Sequence, residues 1–239
     1  MNEVETQFTQ LRLHGMSRTW QVLLESRRHL ELSFTEGLEL LLQAEQQDRE
    51  QKRFDRLLKN AGFRYRASIE EIKLDATRGL DKAMITTLAV GDYINKGESV
   101  LITGATGCGK SFLASALGHQ ACAQGQKVAY FNFQKLMQKI KIIRLEGGIY
   151  KFFEKLSKTD LLILDDFGMV YLEKQQQIDF MEIIEDRHSN KATIIASQLP
   201  VENWFDIIGE ATIADAILDR LIHASYRIKL SGESLRKKQ

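Results

Sequence analysis

The stretch Gly104-Ala-Thr-Gly-Cys-Gly109-Lys110-Ser111 sets a lysine and a hydroxyl behind spaced glycines, the pattern of a loop that cradles phosphate. Glycine lets the backbone turn its N–H groups inward, where side chains would block the approach. All eight residues, Gly104, Ala105, Thr106, Gly107, Cys108, Gly109, Lys110 and Ser111, are candidate nucleotide contacts. Lys110 is expected to reach the β- and γ-phosphates, and the Ser111 hydroxyl to ligate Mg²⁺. A second stretch, Leu161-Leu-Ile-Leu-Asp165-Asp166, ends an apolar run in two carboxylates. There Asp165 would hold Mg²⁺ through its water shell, and Asp166 would orient or deprotonate a water attacking the γ-phosphate. Ala196-Ser197-Gln198 offers a polar group to position that water, with Ser197 the first candidate and Gln198 the reserve; a plain turn is the alternative. Arg220 stands on an apolar run, Ala216-Ile-Leu-Asp219-Arg220-Leu221, as a surface residue or as an arginine finger for a neighbouring subunit's nucleotide.

These groups need a scaffold that brings them together. Val100 to Ile102 reads as a buried strand running into the glycine loop, and Phe112 to Leu117 as the start of a helix whose positive end faces phosphate. Further strands are expected at Lys127–Asn132, Leu161–Asp165, Ala192–Ser197 and Tyr226–Leu230. Helices are expected at Gln134–Leu145, Tyr150–Leu156, Lys174–Ser189 and Ile213–Leu221. Unbroken apolar strands alternating with helices imply a parallel five-stranded sheet covered on both faces, an α/β fold. Residues 1–66 differ. They are helical in character and free of strand-like runs, which predicts a small all-α N-terminal domain ahead of a nucleotide-binding domain over 67–239. Val4–Leu13 is expected to form one helix stopped by Gly15, and Ser17–Leu30 a second. Ser33-Phe-Thr-Glu36 is a capping box opening a long third helix to about Asn60, ended near Gly62. Its apolar face begins at Leu38, Leu41, Leu42 and Ala44. Arg49, Lys52, Arg53, Arg56 and Lys59 share another face, and Arg64 and Arg66 extend the charge beyond the helix. That stripe reads either as a solvated face or as a grip on DNA phosphates or a partner. Ser68-Ile-Glu-Glu71 suggests another capping signal, and Asp81–Ile94 a helix.

Composition narrows the class. The chain has 239 residues, 44% hydrophobic and 27% charged, with 33 Lys and Arg against 32 Asp and Glu. The resulting formal charge of +1 argues against a uniformly basic nucleic-acid binder but leaves local basic patches possible. No apolar run approaches the ~20 residues that span a bilayer, and Met1-Asn-Glu-Val-Glu5 has neither the basic start nor the apolar core of a signal peptide. The two cysteines, Cys108 and Cys122, make no disulfide framework, and the five histidines show no metal-ligand spacing. Cys108 reads as a small filler of a variable loop position in preference to a reactive thiol. A cytoplasmic protein without membrane partners is expected.

The order of glycine loop, Leu162-Ile-Leu-Asp-Asp-Phe-Gly168, Ile195-Ala-Ser-Gln-Leu-Pro200 and Leu218-Asp-Arg-Leu221 resembles AAA+ ATPases of the DnaC/IstB branch. Leu11-Arg-Leu-His-Gly-Met16, Arg78-Gly-Leu-Asp-Lys82 and Ser231-Gly-Glu-Ser-Leu-Arg236 are similar to the IstB group in particular, the ATP-binding helpers of insertion sequences. The resemblance covers essentially the whole chain. It implies an AAA+ P-loop fold, ATP and Mg²⁺ as cofactors, Asp165 and Asp166 as the Walker B pair, Ser197 as sensor 1 and Arg220 as the finger. Arg236 is at most a second-sensor candidate, because there is no room after it for a helical lid. The resemblance also implies DNA binding by residues 133–158, where Lys135, Lys139, Lys141 and Arg144 are the candidates; composition alone would make them a solvated face.

The function expected is an ATPase that oligomerises on double-stranded DNA, with nucleotide at subunit interfaces, and presents that DNA to a transposase. Two alternatives stand beside it. One is a DnaC-like helicase loader in DNA replication. The other is an adaptor that senses ATP without hydrolysing it, which Asp166 keeps open because it is one methylene shorter than glutamate. A small-molecule kinase is disfavoured, since no arginine-rich lid follows the loop.

Overall fold

Leu161 to Leu164 and Ala192 to Ala196 carry no charged side chain, so a strand made from either must be covered on both faces. The computed structural model describes residues 3–235 and meets that demand. The chain divides into two compact units, Met1–Arg56 and Leu57–Gln239.

In the first unit, α1 (Glu3–Gln10), α2 (His14–Glu25) and the opening of α3 (Phe34–Ala61) surround buried Met16, Leu23 and Leu41. The capping box forms as expected: Ser33 N–H donates to Glu36 Oε2 at 2.8 Å, and Glu36 N–H to Ser33 Oγ at 3.3 Å. Gly15 is not a helix stop. It lies in the first turn of α2, where a Cβ would fall 2.3 Å from the Ala44 carbonyl oxygen, so the two helices cross at a point only glycine permits. The N-cap of α2, Leu13, has no capping side chain; Glu45 of α3 supplies the missing acceptor for Gly15 N–H at 2.8 Å and Met16 N–H at 3.3 Å. The second helix also ends early, at Glu25, with Arg27 in the left-handed region. Along α3, two members of the basic stripe pair with acids one turn back, Arg49 with Glu45 and Lys52 with Asp48, both at 2.7 Å, and Asp48 also binds Arg18.

In the second unit, the second capping signal makes a turn and not a helix: Ser68 N–H donates to Glu71 Oε2 at 2.9 Å and the chain stays irregular. The helix expected over 81–94 is two, α4 (Lys82–Val90) and α5 (Asp92–Lys96), broken at Gly91, whose φ is +88°. The sheet then follows: β1 (Ser99–Gly104), β2 (Val128–Asn132), β3 (Leu161–Phe167), β4 (Ala192–Ser197) and β5 (Ser225–Leu230), all parallel in the order β2-β3-β4-β1-β5. After β1 the chain crosses to the far edge and returns strand by strand, so the carboxyl ends of β1, β4 and β3 border a crevice. Open parallel sheets bind ligands at such a reversal.

One face is covered by α6 (Lys110–Ala123), which packs through small residues, Ala114, Ala116 and Ala121, with Leu113 and Leu117. Gly118 belongs to the same surface; a Cβ there would lie 2.4 Å from Phe63 and 2.8 Å from Ile163. The opposite face carries the larger core, built by α7 (Phe133–Leu145), α8 (Ile149–Ser157), α9 (Lys174–Arg187), α10 (Trp204–Ile208) and α11 (Ala211–Ile222). Phe167 is its centre, edge-on to Phe133 at 4.9 Å and to Trp204 at 4.8 Å. The short α10, unforeseen in the sequence, seats Trp204 there, with its indole N–H on the Leu199 carbonyl at 3.1 Å. Arg187 is only 2% exposed and ties elements together at the start of β4: it donates to the carbonyls of Leu156, Thr159 and Ala192 and to the Thr193 hydroxyl. Among the described residues no helix is long and apolar enough to cross a membrane.

Candidate nucleotide site

Gly104, Gly107 and Gly109 all have positive φ, +147°, +83° and +105°, and this sequence of turns folds the loop between β1 and α6. The first backbone N–H groups of α6, a helix of 14 residues, have no partner inside the helix and face the loop's cavity. Lys110 is buried, and its ammonium donates to the carbonyls of Gly104 at 2.8 Å and Ala105 at 2.9 Å, holding the loop's shape from within. Cys108 is buried and donates its thiol to the Ala105 carbonyl at 2.9 Å, as befits a filler. Cys122 is buried too, and burial pushes its thiol up to about 12.

The acids reach the crevice through a break in the sheet. Pairing of β3 with β4 runs in register to Leu164 opposite Ile195, then resumes with Phe167 opposite Ser197. One extra residue on β3 makes a bulge, and Asp166 takes a left-handed φ of +58° within it. The bulge turns both carboxylates toward the glycine loop. Asp165 is fully buried. It accepts from the Ser111 hydroxyl at 2.9 Å, from Asp166 N–H at 2.9 Å and from the Tyr130 hydroxyl, whose own ionisation is pushed up by burial and by that carboxylate. Asp166 is more open. It accepts from Asn132 Nδ2 at 3.0 Å and from Arg64 Nη1 at 3.0 Å, and the same Arg64 nitrogen is 3.5 Å from Asp165.

The cavity between these groups has a volume of about 500 Å³ and is lined by Arg64, Thr106, Lys110, Ser111, Asp166 and Gln198, among others. That lies in the range of small-molecule sites, ~300–1,000 Å³. Ser197 does not face it. The hydroxyl is buried, donating to the Phe167 carbonyl at 2.8 Å and accepting from Leu199 N–H at 3.1 Å, so it pins the bulge. Gln198, the reserve candidate, lines the cavity and accepts from the Thr106 hydroxyl at 2.7 Å. Arg220 lies toward the amino ends of the strands, in a small cleft with Ser99, the first residue of β1, and Thr193, the second of β4, and pairs with Glu185 at 2.5 Å. It is not part of its own chain's cavity.

The four basic residues of α7 do not form one surface. Lys135, Lys139 and Lys141 are exposed, Lys139 lying over the rings of Phe131 and Phe152 at 5.6 and 5.4 Å, while Arg144 is half-buried and pairs with the buried Asp179. Arg64, Tyr130 and Asn132 are the residues sequence reasoning missed. Arg64 reads in sequence as the end of a charged stripe, yet it turns inward to the acidic pair. Asn132 was legible only as a polar residue closing β2, where it also caps α7 by accepting from Lys135 N–H at 3.2 Å.

Two of the three softer sequence motifs, those that begin at Arg78 and Ser231, meet beside the loop. Ser231 donates its N–H to the Arg78 carbonyl and its hydroxyl to the Thr77 carbonyl, both at 3.0 Å, and Arg78 Nη2 reaches the Glu233 carbonyl at 3.1 Å. Further along, Leu235 N–H donates to the Gly107 carbonyl at 3.0 Å, so Leu235 forms part of the cavity wall. Arg236 lies outside the described residues.

Together the sheet order, the glycine loop and the paired acids define an AAA+ P-loop protein. The chain matches the family model of the IstB-like ATP binding protein over residues 6–239, and it belongs to that family. A protein called an insertion sequence ATP-binding protein, y4pL of Sinorhizobium fredii, is 41% identical over 227 residues, covering 95% of this chain and 93% of its own. The insertion sequence IS21 ATP-binding protein of Pseudomonas aeruginosa is 28% identical over 239 residues, covering 100% and 90%. Among solved structures, the DnaC helicase loader superposes with a TM-score of 0.59 at 20% identity, over 69% of this chain and 97% of that one. AMPPCP-bound DnaA from Aquifex aeolicus gives 0.58 at 21%, over 71% and 51%. At these identities the structural likeness speaks for the fold.

Proposed function

We propose that this chain is the ATP-hydrolysing helper of an insertion sequence, which assembles on double-stranded DNA with ATP bound and delivers that DNA to a transposase. The observation that carries the reading is the hydrogen bond from Ser111 to Asp165, which joins the glycine loop to the acidic strand at the mouth of a nucleotide-sized cavity. The site suits ATP with Mg²⁺. Its hydroxyl and carboxylate are hard oxygen donors, and among the described residues no three His, Cys, Asp or Glu side chains form a cage of their own, as suits a cation carried largely by phosphate.

In this reading Lys110 exchanges its loop carbonyls for the β- and γ-phosphates. Ser111 and Asp165 hold the Mg²⁺, which when bound neutralises charge developing on the phosphates. Asp166 orients the attacking water, and Gln198, beside Thr106, borders the terminal phosphate in place of Ser197. Arg220 serves a neighbouring chain's nucleotide, consistent with its distance from its own cavity. DNA contact falls to the exposed Lys135, Lys139 and Lys141, with Arg144 available only if it leaves Asp179. Family membership and the names of the insertion sequence relatives support the transposition role.

Binding to labelled duplex and single-stranded DNA, each with ATP, ADP or no nucleotide and at several salt concentrations, tests this. Tight duplex binding only with ATP, weakened steeply by salt, is expected. Preference for single strands would favour a helicase loader, and nucleotide-independent behaviour toward both would leave an ATP-sensing adaptor.

A further inference from the structure

Arg64 is held in place by the residue before it. Phe63 lies over Gly118, where any side chain would strike it, and packs at a tilt against His119 with ring centroids 4.4 Å apart. The next residue therefore emerges at the crevice, where its guanidinium meets Asp166 at 3.0 Å and Asp165 at 3.5 Å and lines the cavity. Lys110, the other cation at the site, is turned to its own loop. Arg64 is thus the positive charge in direct contact with both acids.

We infer that Arg64 reads the terminal phosphate of the nucleotide, exchanging the two carboxylates for the γ-phosphate when Mg–ATP binds. The inference rests on the nucleotide reading above. A divalent cation shared by Ser111 and Asp165 takes over the charge that Arg64 neutralises and repels the guanidinium. A γ-phosphate across the same cavity offers the planar guanidinium fork a new pair of acceptor oxygens, a task for which arginine is better shaped than lysine. With ADP there is a cation to displace Arg64 but no terminal phosphate to receive it. Arg64 therefore favours ATP over ADP within a single chain, before any neighbour's arginine is engaged. The side chain is 42% exposed, so it has room to swing without disturbing the core.

The test is a titration of the full chain with fluorescent mant-ATP and mant-ADP in Mg²⁺, comparing wild type, Arg64→Ala, Arg64→Gln, Arg64→Lys and Lys110→Ala. Arg64→Ala and Arg64→Gln should weaken ATP roughly tenfold or more, the span of one hydrogen bond to a charged group, while ADP affinity holds or improves. Arg64→Lys should restore part of the ATP preference. The glutamine variant keeps the side chain's bulk, so a loss shared by both variants is not a packing defect. An unchanged ATP-to-ADP ratio in both, in a protein whose binding Lys110→Ala abolishes, would overturn the role of Arg64 and leave the nucleotide site standing. Wild-type binding that is absent, or indifferent to Lys110→Ala, would overturn the site and this inference with it.

Discussion

Ser111 and Asp165, 54 positions apart in sequence, are joined by a 2.9 Å hydrogen bond from hydroxyl to carboxylate. It fixes the spacing at which one cation can be shared between loop and sheet. Ser111→Ala should leave nucleotide binding without metal little changed and reduce the gain in ATP affinity on adding Mg²⁺ by roughly tenfold. Asp165→Asn should do the same. Calorimetric titration with and without Mg²⁺ checks both, and an undiminished metal effect in either variant counts against that residue as a ligand.

Arg220 is set apart from its own cavity and tethered to Glu185. Arg220→Ala should bind ATP as a monomer like wild type and lose stimulated hydrolysis by about 10³-fold, the lower range for an arginine finger. Steady-state phosphate release with duplex DNA measures this; normal turnover would refute the finger. Glu185→Ala, which frees the arginine, should keep stimulated turnover.

Asp160 gives unit two a pH dependence. Burial opposes its charge, but the Lys191 ammonium at 2.6 Å and Lys127 N–H at 2.9 Å hold the carboxyl below its ordinary 3.8. The folded protein therefore binds fewer protons here than the unfolded chain. The resulting stability is complete above pH 3.8 and fades as pH falls through 3.8 toward the folded value. Asp160→Ala should cost about 1 kcal/mol at neutral pH, and the gap to wild type in urea unfolding should close in acid. A gap that widens in acid contradicts the assignment.

Arg187 has its charge opposed by burial, which lowers its pKa to about 9, yet four acceptors keep it in place. Arg187→Met removes the donors and strands three carbonyls in the interior, so a loss of at least about 3 kcal/mol is expected in denaturant unfolding. A loss under about 1 kcal/mol would mean that the carbonyls find other donors.

The sheet was legible because its central strands, β1, β3 and β4, are bounded apolar runs with helical spacing between them. Leu101, Ile163 and Ile194 are buried where that pattern put them. The phosphate loop was legible because its chemistry is local, eight residues in a row. What escaped depended on distant partners. Gly15 looks like a stop until Ala44 is known to lie against it. Ser197 looks like the polar tip of a strand until the bulge at Asp166 turns it inward and brings Gln198 forward. Arg64 belongs to no local pattern at all, since its partners lie over a hundred positions away. Even Ser68-Ile-Glu-Glu71 makes its local hydrogen bond; no apolar face follows to extend it into a helix.

The Leu235–Gly107 hydrogen bond has a practical side. A fluorophore attached at that position, through Leu235→Cys, would stand in the wall of the cavity and report its occupancy.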